Sequence, residues 1–221
     1  MGPISNVAVQ QALPGTRSSL AVMGVLRFSF GTMGSGKSTM ALQIHHNLTH
    51  GGLNGALCSM LDRAGAQVSS RLGVSAEALV IDPTVNLVDI AKNDGDPLDY
   101  LVCDEAQFYT PEQIDQLAHV VDSLQMDVFA FGLLTDFRGK LFPGTARLLE
   151  LSDITEEIQC EARCWCGSRA THNARLVDGV QVYEGDLLVM DNPEVAPEVT
   201  YELRCRAHWI SGEGRPDIQL D

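Results

Sequence analysis

FSFGTMGSGKSTMALQIHHNL, residues 28–48, carries a hydrophobic run into a glycine-rich turn and leaves it through a lysine and two hydroxyls. Within it, GTMGSGKS over residues 31–38 fits G-x-x-x-x-G-K-[ST] in full. Gly31, Gly34 and Gly36 carry no Cβ, so the backbone N–H groups around them, with those of Thr32, Met33 and Ser35, can converge on phosphate oxygens. Lys37 is placed to reach the β- and γ-phosphates of a nucleotide. Ser38, with Thr39 beside it, is placed to ligate Mg²⁺. Residues 24–30 read as a strand and residues 37–50 as a helix, with Met40, Ala41, Ile44 and Leu48 at helical spacing. A helix starting there directs its positive end at the bound anion. A glycine loop that merely turns the chain needs no such flanks.

Outward from this loop, short apolar runs at residues 55–61, 78–81, 98–102 and 126–133 alternate with helical patterns. Thr110 reads as a cap and Pro111 as the first turn of a helix over 111–124. The apolar Ile114, Leu117, Val120, Val121 and Leu124 of that helix suit a core or an interface equally. Such alternation predicts an α/β fold with a parallel sheet covered by helices on both faces; with the phosphate loop at its start, it resembles the RecA-like P-loop NTPases. The run at 98–102 leads into YLVCDEAQF, residues 100–108. Asp104, at the C-terminal end of a buried strand, can hold Mg²⁺ through water. Strand alternation sends the Glu105 carboxylate to the opposite side, where it can face an acceptor. The N-K-x-D string that specifies guanine is absent, which leaves ATP as the donor.

The 221 residues carry 15 Lys and Arg against 29 Asp and Glu, a net charge of −14. Such a surface repels DNA and RNA, so no nucleic-acid partner is expected. No apolar run is long enough to span a membrane, and no secretory h-region opens the chain. Gly2 invites N-myristoylation, but Asn6 stands where that signal needs Ser or Thr. Residues 1–22 read as a flexible leader, with Met23 as a second possible start. Residues 23–151 read as the nucleotide-binding domain, 152–210 as a smaller β-rich domain and 211–221 as a disordered tail. A cytoplasmic, reducing setting follows, in which clustered cysteines suggest metal rather than disulfides.

Four of the six cysteines lie in the smaller domain. CEARCWCG holds Cys160, Cys164 and Cys166, and RCRAHW holds Cys205 and His208. Two soft-ligand pairs at the base of a hairpin-like segment suit a closed, structural Zn²⁺ site of Cys164, Cys166, Cys205 and His208. The first pair is a tight C-x-C, so Cys160 could replace one member. Cys58 and Cys103 fall in apolar runs and read as packing. Strand-like alternation appears near residues 180–183, 186–190 and 199–204, with a turn at VDGVQ.

Taken in order, GTMGSGKST, LDR, CDEAQF, GLLTDFRGKLFPG and CWCGSRATHNARL…YELRCRAHW resemble the thymidine kinases of the cellular, zinc-containing type over residues 24–209. The resemblance implies transfer of the γ-phosphoryl of ATP to the 5′-hydroxyl of thymidine or deoxyuridine. It implies that Lys37, Ser38 and Thr39, with Asp104, Ala106 and Gln107, serve the Mg²⁺-bound donor and that Glu105 is the general base. It places Arg63 near the transferring phosphoryl and Asp62 by the sugar. It gives Met33, Phe108, Leu133, Phe137 and Phe142 to the nucleoside wall, Tyr201 to the closing lasso loop, and the backbone near Val189 and Met190 to the pyrimidine edge. It also implies a homotetramer and feedback inhibition by dTTP. Three departures from the family pattern are visible: the tight C-x-C, the absence of an aromatic in RAGAQVSS, and GLLTDF in place of a GLD string.

Some residues stay open between two roles. Arg138 and Lys140 suit a solvated loop or a neighbouring subunit's phosphate. Arg175 suits the lasso base or a subunit edge. His172 reads as structural, and His45 and His46 as surface or interface. The competing readings are a zinc-ribbon ATPase acting on nucleic acid and a nucleotide sensor without catalysis.

Overall fold

Residues 26–30, LRFSF, form the first strand, β1 (Leu26–Phe30), and hand the chain to the phosphate loop and α1 (Lys37–His50). There follow β2 (Gly55–Ser59), a small antiparallel hairpin of β3 (Gln67–Ser69) and β4 (Ser75–Glu77), and β5 (Leu79–Val80). Next come α2 (Leu87–Lys92), β6 (Tyr100–Asp104), α3 (Pro111–Leu124), β7 (Asp127–Gly132), α4 (Pro143–Leu151) and β8 (Ile154–Glu157). The computed structural model describes residues 23–60, 67–158, 161–187 and 198–216. The leader, Asp62, Arg63, Cys160, Val189, Met190 and the last five residues lie outside the described residues.

The main sheet runs β5-β2-β6-β7-β1-β8, and every pairing in it is parallel. All five residues of β6 are buried, as a strand covered on both faces requires. Cys58 and Cys103 face each other across β2 and β6, fully buried, and serve as packing. On α3, Ile114, Leu117 and Val120 are fully buried and Val121 nearly so, and Leu124 packs against the same cluster. That face is therefore spent on this chain's own core. The expected cap is present: the Thr110 hydroxyl accepts from Gln113 N–H and the Gln113 side-chain Oε1 accepts from Thr110 N–H, closing a capping box. On α1, Met40 is exposed and Leu42 is buried instead.

The main sheet continues beyond the expected change near residue 152. Strand β8 pairs with β1 from Arg27↔Ile154 to Phe30↔Glu157. Its sequence, ITEE, shows no apolar alternation because all four residues are exposed at the sheet edge. The second lobe is a three-stranded antiparallel sheet, order β10-β9-β11, of β9 (His172–Val177), β10 (Val180–Val182) and β11 (Val199–Arg204), followed by the short α5 (Arg206–Ser211). Asp178 and Gly179 both take positive φ, 48° and 79°, at the turn between β9 and β10. The alternation at residues 186–190 yields no strand at 186 and 187, and the rest of it lies outside the described residues.

Candidate active site

The C-terminal ends of β1, β6 and β7 converge where a parallel α/β sheet binds ligands. Gly34 and Gly36 take φ of 73° and 87°, a region closed to most side chains, which explains the glycines there. The Lys37 ammonium turns back on the loop and donates to the carbonyls of Thr32 at 2.9 Å and Gly31 at 3.3 Å. Its pKa is lowered, chiefly by burial; Glu105 and Asp104 oppose that shift and Arg71 adds to it. Asp104 is 3% exposed, and its Oδ1 is buried with no hydrogen-bond partner among the described residues. Burial first, then Glu105, push its carboxyl up to about 6, against a Ser38 hydrogen bond, the Glu105 backbone and Lys37. An orphaned carboxylate oxygen beside a serine hydroxyl suits a hard divalent cation that prefers oxygen ligands. Ser38 and Asp104 therefore fit Mg²⁺.

Glu105 departs from the expected alternation. It lies one residue beyond β6 in the left-handed region, φ 53° and ψ 33°, so the rule for strand side chains no longer applies to it. Asp104 and Glu105 consequently line the same cavity. The Glu105 carboxylate accepts a 2.5 Å hydrogen bond from Gln107 Nε2, while Gln107 Oε1 accepts from Leu133 N–H at 3.0 Å. Gln107, 1% exposed, thus braces Glu105 against the end of β7. Gly144, at the start of α4, lies so close to the 3-10 turn at Ala106–Phe108 that a Cβ would meet the Tyr109 carbonyl at 2.5 Å. That approach sets the preceding Phe142 edge-on to Phe108, ring centroids 5.3 Å apart.

The cavity measures about 690 Å³ and is bordered by Met33, Gly34, Gly36, Lys37, Ser38, Thr39, Asp104, Glu105 and Gln107 on its polar side. Phe108, Leu133, Phe137, Phe142 and Tyr201 form its apolar side. Gly31, Ser35 and Ala106 are buried and do not line it, and Thr32 borders a smaller recess. Arg175, on β9, lies with its guanidinium carbon 3.7 Å from the centroid of the Phe137 ring. It donates to the Tyr201 hydroxyl at 2.9 Å and to the carbonyls of Asp186 and Leu187 at 2.5 and 2.7 Å. Of its two readings, the lasso base is the one the geometry supports.

Three contacts escape any reading of local spacing. The Asn173 side chain accepts from Met33 N–H at 2.9 Å, joining the second lobe to the phosphate loop. Trp209 donates to the Phe137 carbonyl at 3.1 Å. His172 stacks on Trp209 with centroids 4.7 Å apart, which makes it structural. The available signal is N-x-R at residues 173–175, two polar residues sharing one face of a short strand. Arg138 pairs with Asp136 at 2.6 Å, and Asp136 also accepts the backbone N–H groups of Arg138 and Lys140. Arg138 is therefore occupied within its own loop. His45 is half-buried, with its Nδ1 3.0 Å from the hydroxyl of the buried Tyr100, so it packs between α1 and the sheet rather than on the surface as expected.

Cys164, Cys166, Cys205 and His208 come together with all ligand atoms within 4.8 Å of one another. His208 Nδ1 lies 3.4 Å from Cys164 Sγ and 3.5 Å from Cys205 Sγ, and the sulfurs of Cys166 and Cys205 are 4.0 Å apart. A tetrahedron with zinc–sulfur bonds of about 2.3 Å and a zinc–nitrogen bond of about 2.0 Å has edges of roughly 3.5–3.8 Å, so this set fits Zn²⁺. Trp165 stacks on His208 at 4.0 Å and shields one side.

A strand–glycine loop–helix, a buried acid on the adjacent strand and an aromatic-walled cavity together define a P-loop phosphotransferase. A family model described as Thymidine kinase matches residues 24–209. The chain is 55% identical over 192 residues to a thymidine kinase of Streptomyces avermitilis, covering 84% of this chain and 88% of that one. Identity to a thymidine kinase of Streptomyces coelicolor is 52% over the same coverage, 84% and 88%. Identity to one of Cutibacterium acnes is 47%, covering 86% of this chain and 90% of that one. The chain belongs to the thymidine kinase family.

Two outcomes follow from the site. The folded chain holds the Asp104 proton more tightly than the unfolded chain does, so this group costs no stability below about pH 4 and progressively more as pH rises through 6. Mg²⁺-dependent nucleotide binding needs the ionised carboxylate and should strengthen across the same interval, levelling off above about pH 7. Calorimetric titration from pH 5 to 8 is expected to show this rise, and Asp104→Asn to flatten it. The purified chain should also carry one zinc. Chelation or Cys205→Ser should release the metal and lower the melting temperature; unchanged melting after complete metal loss would contradict a structural zinc.

Proposed function

We propose that the chain transfers the γ-phosphoryl group of ATP to the 5′-hydroxyl of thymidine or deoxyuridine, giving the monophosphate for DNA synthesis by salvage. The observation that carries this reading is Glu105, braced by Gln107 and bordering one cavity with both the phosphate loop and the aromatic wall. Bound Mg²⁺ supplies charge neutralisation across the donor phosphates. Lys37 and the loop amides hold the triphosphate, and Ser38 and Asp104 are the residues that would hold the metal. Glu105 takes the 5′-hydroxyl proton as that oxygen bonds to the γ-phosphorus; the bond to the bridging oxygen breaks and ADP departs.

Phe108, Phe137 and Phe142 favour a neutral, stackable base over a charged acceptor. Arg63 near the transferring phosphoryl, Asp62 by the sugar, and Val189 and Met190 at the pyrimidine edge complete the site by resemblance to the family. Zinc at the base of the second lobe is structural. Residues 1–22 act as a leader, residues 23–151 hold the donor, residues 152–210 cover the acceptor and residues 211–221 form a tail. The same resemblance supports a cytoplasmic homotetramer, with dTTP as feedback inhibitor occupying both substrate positions. The net charge of −14 argues against nucleic acid as a partner.

With Mg-ATP, the chain should form monophosphate from thymidine and deoxyuridine and none from deoxyadenosine or deoxyguanosine. Glu105→Gln should lower kcat by about 10²–10⁴-fold and leave ATP affinity within a few-fold of the parent. Unaltered turnover in that variant would remove Glu105 from the role of base. Phosphate release stimulated by single-stranded DNA, with no monophosphate, would favour the zinc-ribbon ATPase.

A further inference from the structure

A further cation borders the cavity besides Lys37 and Arg175. Beside the phosphate loop the cavity is also bordered by the β3–β4 hairpin, whose residues 67–72 all line it. The hairpin is not loosely attached: Val68 is 3% exposed and packs in one core cluster with Ala41, Leu42, Leu57 and Phe131. Its tip is a tight turn in which Ser70 N–H donates to the Val74 carbonyl at 2.8 Å and Gly73 N–H to the Ser70 carbonyl at 3.0 Å. Gly73 takes φ of 83°. This turn presents Arg71 across the cavity mouth, with Nη1 3.4 Å from where a Cβ on Gly34 would stand.

Among the described residues Arg71 has no hydrogen-bond or ion-pair partner, although the chain carries an excess of acids. It stands near enough to Lys37 to oppose that ammonium's charge. Two like charges facing one space, one buried and one unpaired, are unfavourable until an anion lies between them. A planar guanidinium beside loop amides suits phosphate oxygens, which it can grip through two parallel N–H donors.

We propose that Arg71 is a phosphate-binding residue for the donor, reaching from the β3–β4 tip so that the triphosphate is held between hairpin and phosphate loop. The inference rests on the kinase reading above. It assigns to this hairpin a role in donor affinity that the acceptor does not share.

The test compares the full-length parent with Arg71→Ala and Arg71→Lys, after confirming matched zinc content and melting temperature. Binding of ATP and of thymidine is measured separately by calorimetry, and ATP KM and kcat by monophosphate formation. Arg71→Ala should weaken ATP binding about tenfold or more, the effect of losing a charge-assisted phosphate contact, and leave thymidine binding unchanged. Arg71→Lys should recover part of the loss, since it restores charge without the fork. ATP affinity within twofold of the parent in Arg71→Ala would overturn the proposal. So would an equal loss for ATP and thymidine, which would mark Arg71 as structural. A parent that makes no monophosphate from thymidine would instead overturn the kinase reading, whatever Arg71 does to ATP binding.

Discussion

Lys37 and Asp104 are both buried at the C-terminal ends of the sheet's inner strands, and no ion pair joins them among the described residues. The ammonium rests on loop carbonyls, and one carboxylate oxygen has no partner among the described residues. Burying charge without pairing it is unfavourable, and a protein of ordinary stability tolerates it only for function. A polyanion with its divalent cation resolves both deficits at once. The surrounding structure holds that separation open: β6 is buried along its whole length, and the left-handed Glu105 turns the chain away just after Asp104.

The acceptor side depends on a different constraint. The second lobe is small, and its three strands could not by themselves shape a cavity wall. It is fastened at three points: Asn173 to the phosphate loop, Arg175 to the Phe137 ring and the residues at 186–187, and Trp209 to the Phe137 carbonyl. A Cys/His tetrad at its base suits a metal staple where a hydrophobic core is lacking. Donor and acceptor walls are thereby coupled through Met33 and Phe137, which border the same cavity. Excluding water from that space is what separates a kinase from a wasteful ATPase.

The features legible in the sequence are those carried by local spacing. The phosphate loop, the acid ending an apolar run and the Thr110-Pro111 helix start each need only a few consecutive residues, and the Cys/His tetrad is two such short pairs, at 164–166 and 205–208. Features that depend on tertiary partners were not legible. ITEE joins the main sheet because β1 offers a free edge, not because of its own pattern. Glu105 shares a cavity with Asp104 because backbone strain ends the strand there, which no periodicity reveals. Asn173 and Trp209 act across more than thirty residues of chain, and only for Asn173 does the polar N-x-R face of β9 offer a hint; Arg175, on that face, is legible as a lasso-base residue but its place on the Phe137 ring is not. Arg71 gains meaning from its distance to Gly34, a fact of folding rather than of composition.

The central claim is that this cleft passes phosphoryl to a nucleoside and not to water. The most direct measurement is the stoichiometry of products from γ-labelled ATP at saturating Mg²⁺ and thymidine, scored for ADP, thymidine monophosphate and free phosphate in the same reaction. The account predicts one monophosphate per ADP, with free phosphate a small fraction of either and little ADP when thymidine is withheld. ADP formed at the same rate with and without thymidine, with the label recovered as free phosphate, would contradict it.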